Sequence, residues 1–455
     1  MFRKAIAAAA ALCLLGGLGI AFVLYRQHLS QPVRGSSTVE FQPTQAPKAP
    51  RVRGAIDWPQ FGYGGVRAHV GPSGEIRPPF RVQWVAGGSS LLEFPPAVGY
   101  GRLFVADGAG QLLALDTRSG LRAWTFKTGR CVASSPAVGR EEFGTVYASF
   151  LARLPCGNAR GADGEVVALS VGTGALRWRR LIGPTETSPL LNGHSLYVGD
   201  WNGKVYALNT RNGHVRWTFK TGGAVKGGAA ISANRLVIGS YDGHLYALNA
   251  STGRLIWRAS SDPRLFGHGT FYSTPAFGYG RVYIGSTDGR IYSYGASTGK
   301  RRWSYVTGGY VYGSPALWNN FVLVGSYDHY FYALDAATGN LVWRFHAEGP
   351  ISGSATVVDG IVYFATLAGH TYGLNTRTGH LAWSFHDGKY ASVTTDSKRL
   401  FLLGYAKIYG LVPVNGTRHL PTGRVGRKRI GVPTATHGKQ QSKGRAKATT
   451  TAPRP

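Results

Sequence analysis

The chain has 455 residues, among them 65 Gly, 24 Tyr and 11 Trp, but only one Met, the initiator. Abundant glycine beside large flat side chains describes short strands joined by tight turns, and no apolar 3.6-residue period persists after residue 30, which argues against a second, helical domain. Lys and Arg outnumber the acids 51 to 21, a net charge of +30, yet ten of these bases and no acid lie in residues 413 to 455, so about a third of the excess belongs to a tail.

In chain order, a stub (1–4) carrying Arg3 and Lys4 precedes an uncharged run from Ala5 to Tyr25, 21 residues closed by Arg26. That length matches a hydrocarbon core of about 30 Å, so residues 5–25 read as a transmembrane anchor or an uncleaved signal, with the remainder of the chain on the extracytoplasmic side of the cell membrane. A cleaved signal would show a shorter apolar core. Leu12 in front of Cys13 argues against lipidation. Residues 26–56, with Pro32, Pro43, Pro47 and Pro50 and one large apolar side chain, Phe41, read as an extended linker.

From residue 57 the sequence repeats itself. Trp84, Trp124, Trp178, Trp217, Trp257, Trp303, Trp343 and Trp383 are separated by 40, 54, 39, 40, 46, 40 and 40 residues, and the last seven end one eleven-residue pattern, as in ALDTRSGLRAW (114–124) and ALNASTGRLIW (247–257). Each unit reads as four strands. D-G or N-G dipeptides mark the middle hairpin, and the [DN]-x-x-[TN]-G turn calls for an Asp or Asn accepting backbone N–H groups and a glycine at positive φ. One such sheet cannot bury both faces, so a ring of stacked sheets is expected: an all-β, eight-bladed β-propeller of four-stranded antiparallel blades over 57–413, its Trp side chains structural and wedged between blades. The Trp and Tyr-Leu strand series are out of phase by one, so FRVQWV (80–85) should pair with IYGLVP (408–413) and latch the ring. Residues 414–455 are low in complexity and basic, and are expected to be a disordered tail.

The A-x-[DN]-x-x-[TN]-G-x-x-x-W pattern and the opening DWPQFGYGG (57–65) resemble the pyrroloquinoline-quinone-like propeller repeat family, over roughly 57–412. The resemblance implies the fold and leaves the function open between quinoprotein dehydrogenases and BamB-like, non-catalytic propellers. The dehydrogenase branch holds its quinone with Ca²⁺ on Glu, Asn and Asp donors, often beside a Cys-Cys disulfide. This chain has no Cys-Cys pair, no C-x-x-C-H haem site and no spaced acid cluster. The expectation is therefore a binding scaffold of the cell envelope, not an enzyme, with no catalytic, cofactor or metal residue. Its partner would be an envelope protein or an anionic envelope polymer and not nucleic acid, the ring itself being monomeric. A quinone-dependent enzyme and a sensor of a small ligand in the central funnel remain as alternatives.

Two spacings exceed the period. Extra residues fall at 150–164, within the second blade, and around 260–269, between the fourth and fifth. By strand alternation both project from the same face, where binding usually resides on a rigid ring. Arg153, Arg160, Asp262, Arg264, Phe266 and His268 are the candidate contacts. Cys131 and Cys156 fall in one blade, either disulfide-bonded in an exported domain or as two free thiols.

Overall fold

The structure is a computed structural model describing residues 14–25, 33–50, 55–141, 144–153, 161, 163–264 and 267–414. The repeat unit is plainest in blade four, where Ala230–Ser232, Arg235–Gly239, His244–Asn249 and Leu255–Ser260 pair antiparallel in that order. Its middle hairpin is built around Asp242, whose carboxylate accepts the His244 N–H at 2.9 Å and the Tyr246 hydroxyl at 2.5 Å. The same Asp–Tyr pairing recurs at Asp200–Tyr206, Asp288–Tyr292 and Asp328–Tyr332. These acids hold turns together.

The next turn behaves as expected. Asn249 accepts the N–H groups of Ser251 and Thr252, both at 3.0 Å, and Gly253 closes the turn at φ +73°. The glycine does more than supply that φ. A Cβ on Gly253 would lie 2.7 Å from the Trp217 ring of the preceding blade, and one on Gly339 would lie 2.7 Å from Trp303. Every Trp from 84 to 343 packs in this way on the turn glycine of the following blade, and its indole N–H donates to a carbonyl of that turn, as Trp303 does to Ala336 at 2.9 Å and Trp84 to Thr117 at 3.0 Å. Glycine and tryptophan recur together because each indole needs the bare backbone of the next blade.

Eight sheets follow this pattern. Their innermost strands are Ala97–Gly99, Ala137–Gly139, Leu190–Asn192, Ala230–Ser232, Ala276–Gly278, Ala316–Trp318, Thr356–Val358 and Thr394–Thr395. The eighth sheet takes its outer strand from the other end of the chain. Phe80–Gly87 pairs with Lys407–Pro413, Phe80 opposite Pro413 and Trp84 opposite Gly410, which is the predicted latch. Apolar side chains meet between sheets: Leu190, Tyr197 and Val205 of blade three pack with Ile231, Leu236 and Ile238 of blade four in one buried cluster. Blade one departs from the four-stranded expectation, because Ile56–Trp58 pairs with Ala97–Gly99 and adds a fifth strand on its inner edge.

Two N-terminal readings meet the structure differently. Residues 14–25 are helical, residues 5–13 lie outside the described residues, and among the described residues no helix is long and apolar enough to cross a membrane. Residues 33–50, read as linker, lie on blades five and six. Phe41 stacks on Tyr279 at 5.4 Å, Glu40 pairs with Arg302 at 2.7 Å, and the Arg281 guanidinium donates to the carbonyls of Ser36 and Val39, each at 2.6 Å. Proline-rich composition signals an extended backbone, and here that backbone is a strap.

Candidate functional site

The chain returns to the propeller axis just before each innermost strand, so one register of the repeat faces the centre eight times. The residue four positions before that strand is, from blade one to blade eight, Glu93, Ala133, Glu186, Lys226, Tyr272, Tyr312, Ser352 and Tyr390, and all but Ala133 line one central cavity open to solvent. Two positions later the register holds small residues. The hydroxyls of Ser188, Thr274, Ser314 and Ser354 accept backbone N–H groups of the preceding blade from Ser135, Gly228, Thr274 and Ser314 at 3.0, 2.9, 3.1 and 2.8 Å. The lower ring thus laces the blades together, while the upper ring varies from blade to blade.

The cavity has a floor. Residues 59–71 run as a cord along the innermost strands. Val138 donates to Pro59 at 2.6 Å, Ile231 to Gly65 at 2.7 Å, Phe277 to Val66 at 2.8 Å, Leu317 to Ala68 at 2.9 Å and Val357 to His69 at 2.8 Å, with Gln60 bonding Leu191 through both ends of its amide. Phe61 of this cord lines the cavity. Behind it, the fully buried Arg67 has carbonyls for partners: those of Phe61, Ala229 at 3.0 Å and Pro189 at 3.1 Å. Burial pushes the Arg67 guanidinium down to about 9, and burial together with Arg67 pushes His69 down to about 3, so His69 is neutral. Tyr63, Arg67 and His69 all have positive φ, a strain the closely packed cord maintains.

At the other end, the turns after second strands bring large rings to the rim. The Lys226 ammonium lies 4.0 Å from the Trp201 ring centre and 5.2 Å from that of Tyr241, and pairs with Glu186 at 2.9 Å. Tyr272 donates its hydroxyl to Glu186 at 3.0 Å and meets Tyr312 edge-on at 5.3 Å, and Tyr312 meets Tyr327 at 5.1 Å. Lys389 lies over Tyr390 and Tyr405 at 5.6 and 5.4 Å. Burial, with Glu186 adding repulsion, pushes the Glu93 carboxyl up to about 7. Burial and then Glu186 and Glu93 hold the Tyr272 phenol well above its usual range. The arrangement is a blind, aromatic-walled funnel with one internally paired carboxylate and one that titrates near neutrality, suited to holding a ligand.

Of the residues nominated from sequence, Arg153 is exposed and pairs with Asp163 at 3.5 Å. Arg160, Phe266 and Cys156 lie outside the described residues. Asp262 is engaged internally, bonded to Arg290 at 3.2 Å and to Arg301, with its N–H donating to Tyr292. It is a brace for the loop and not a free contact. Pro263–Arg264 and Gly267–His268 pair as a small hairpin, and the exposed His268 ring lies 5.7 Å from His244. Cys131 is disulfide-bonded. The funnel ring was missed. Its signal was present as a position that takes charged, aromatic and small residues across the repeats while the adjoining strand stays apolar.

A quinone held with Ca²⁺ does not fit this donor set. Glu186 is already taken by Lys226 and Tyr272, and among the described residues no three His, Cys, Asp or Glu side chains are grouped to hold a metal.

Comparison with known proteins places the fold. The structure is similar to BamB from Moraxella catarrhalis, at 17% identity and TM-score 0.60 over 73% of this chain and 100% of that one. It is similar also to the quinohemoprotein alcohol dehydrogenase of Comamonas testosteroni, at 14% identity and TM-score 0.65 over 83% of each chain. At such identities the likeness concerns the fold alone. A curated relative, the serine/threonine-protein kinase AfsK of Streptomyces griseus, is 28% identical over 171 residues, 35% of this chain but only 19% of the kinase. The family described as outer membrane protein assembly factor BamB matches residues 81–223, 201–316 and 307–420, most of the chain, and the protein belongs to that propeller family.

Proposed function

We propose that this protein is a non-catalytic binding propeller of the cell envelope, anchored in the membrane through residues 5–25, which offers its funnel-bearing face to an envelope protein or an anionic envelope polymer. The observation that carries the reading is the asymmetry of the ring. One end of the axis is sealed by the cord of residues 59–71, whereas the other carries the varied ring from Glu93 to Tyr390, its tyrosine rim and the hairpin of Pro263–Arg264 with Gly267–His268. The disulfide at Cys131 supports an oxidising compartment, with Cys156 as its proposed partner. A rigid scaffold whose variation is confined to one face is what recognition requires. The absence of a fit for quinone and Ca²⁺ supports the non-enzymatic reading.

The test is affinity capture from solubilised envelopes with the intact chain and with a variant lacking residues 157–160, which keeps Cys156. A partner retained by the first and lost by the second, with unchanged melting, supports the proposal. Capture unaffected by the deletion and by Tyr310→Ala at the exposed rim would refute docking on this face.

A further inference from the structure

Beyond docking, the funnel has the chemistry of a small-molecule site. Glu93, Glu186 and Lys226 are its charged groups at ring level, and Lys226 neutralises Glu186 at 2.9 Å. That leaves one carboxylate, Glu93, which has no hydrogen-bond donor or cation among the described residues. It sits in a blind cavity with the phenol rings of Tyr272, Tyr312 and Tyr390. In a protein of net charge +30, a half-buried carboxylate without a cation is an anomaly, and its desolvation cost is reduced when a cation arrives.

The neighbouring sector already shows what fills such a place. There an ammonium, that of Lys226, rests on the faces of Trp201 and Tyr241 against Glu186. The sector of Glu93 has the same two elements, a carboxylate and electron-rich ring faces, but no ammonium of its own. Lys389, on the eighth blade, is turned onto Tyr390 and Tyr405. We infer that the funnel binds a small organic ammonium ion, its positive centre against the Glu93 carboxylate and its alkyl groups on Tyr272, Tyr312 and Tyr390.

The site stands or falls independently of any macromolecule docked on the rim. Its affinity depends on pH, because the competent form of Glu93 is the anion. The groups lining the cavity with it that carry charge or titrate are Glu186 with its partner Lys226, Tyr272, Tyr312 and Tyr390, and burial raises all three phenols, so they stay neutral throughout the range concerned. With Glu93 titrating at about 7, the anionic fraction rises about tenfold between pH 6 and pH 8, and the apparent affinity rises with it.

Isothermal titration of the full chain with choline, with n-butylamine and with 3,3-dimethyl-1-butanol, the neutral isostere of choline, tests this at pH 6 and 8. The expected result is millimolar or tighter binding of at least one ammonium, about tenfold tighter at pH 8, and none of the alcohol. The choline and butylamine arms separate a quaternary from a primary ammonium. Glu93→Gln should abolish the pH dependence and weaken binding at pH 8 tenfold or more, and Tyr312→Ala should weaken it at both pH values. Binding of the alcohol as strong as that of choline, a Glu93→Gln variant that binds as wild type, or no binding of either amine at 10 mM would overturn the inference. Should Glu93→Gln fail to fold, the wild-type pH dependence and the alcohol comparison decide alone. Loss of envelope capture without loss of amine binding would count against the docking role and leave this site intact.

Discussion

The tryptophan register and the funnel register share one period and differ in everything else. At the outer strand the same indole recurs eight times, and from Trp84 to Trp343 it rests on the turn glycine of the following blade. At the inner loop the equivalent position is Glu, Ala, Glu, Lys, Tyr, Tyr, Ser and Tyr in turn. Sequence held constant across repeats satisfies a demand every blade shares, the burial of its neighbour. Sequence that varies at a fixed register answers a demand the ring meets only once, at its centre.

That contrast can be broken most severely at the latch. Truncation after Ala406 removes Lys407–Pro413 and leaves Phe80–Gly87 and Leu400–Leu403 without their shared partner, so the single cooperative transition should give way to broad, early unfolding in a thermal scan. Next in size is Trp303→Ala. The fully buried indole leaves a cavity between blades five and six, and chemical denaturation should record a loss of about 3 to 5 kcal/mol. Gly339→Ala should cost more than the ordinary glycine replacement, since φ is +76° and the new Cβ meets Trp303. In the double variant the clash disappears, so the two losses should sum to less than their separate values.

Arg67→Met probes the sealed end. It strands the carbonyls of Ala229 and Pro189, and about 1 to 3 kcal/mol should be lost in the same assay while the funnel rim is untouched. Glu93→Gln has the smallest effect and the opposite sign. Because the folded protein holds the Glu93 proton up to about 7 and the unfolded chain releases it near the ordinary glutamate value of 4.5, native stability falls as pH rises through that window. The variant should be the more stable protein at pH 8, by about 1 kcal/mol after allowance for partial exposure, and the gain should vanish below pH 4.5.

What the sequence made legible follows from periodicity. Seven aligned Trp motifs fix the blade count, the out-of-phase first Trp fixes the latch, and the Asp or Asn and Gly of the turn fix its geometry. The cord of residues 59–71 was not legible, because it bonds five blades through main-chain carbonyls, which leave no side-chain pattern, and only Gln60, on the third blade, and Arg67 act through side chains. Nor was the strap of residues 33–50, whose prolines suit a free linker and a docked one equally well. Length alone drew attention to the insertions and away from the ring. Asp262, chosen for its place in an insertion, turned out to brace Arg290 and Arg301, whereas Glu93 and Tyr312 sit in loops of ordinary length, where no extra residues draw attention to them.

The division between a constant register that builds and a varied register that binds is tested most directly by comparing the unfolding free energy of the triple variant Glu93→Gln, Tyr312→Ala, Tyr390→Ala with that of Trp303→Ala alone. Three changes at the funnel should leave the propeller within about 1 kcal/mol of wild type while abolishing ligand binding, against a loss of about 3 to 5 kcal/mol for the single change at the blade interface. A triple variant as unstable as Trp303→Ala would show that the funnel ring is part of the scaffold after all.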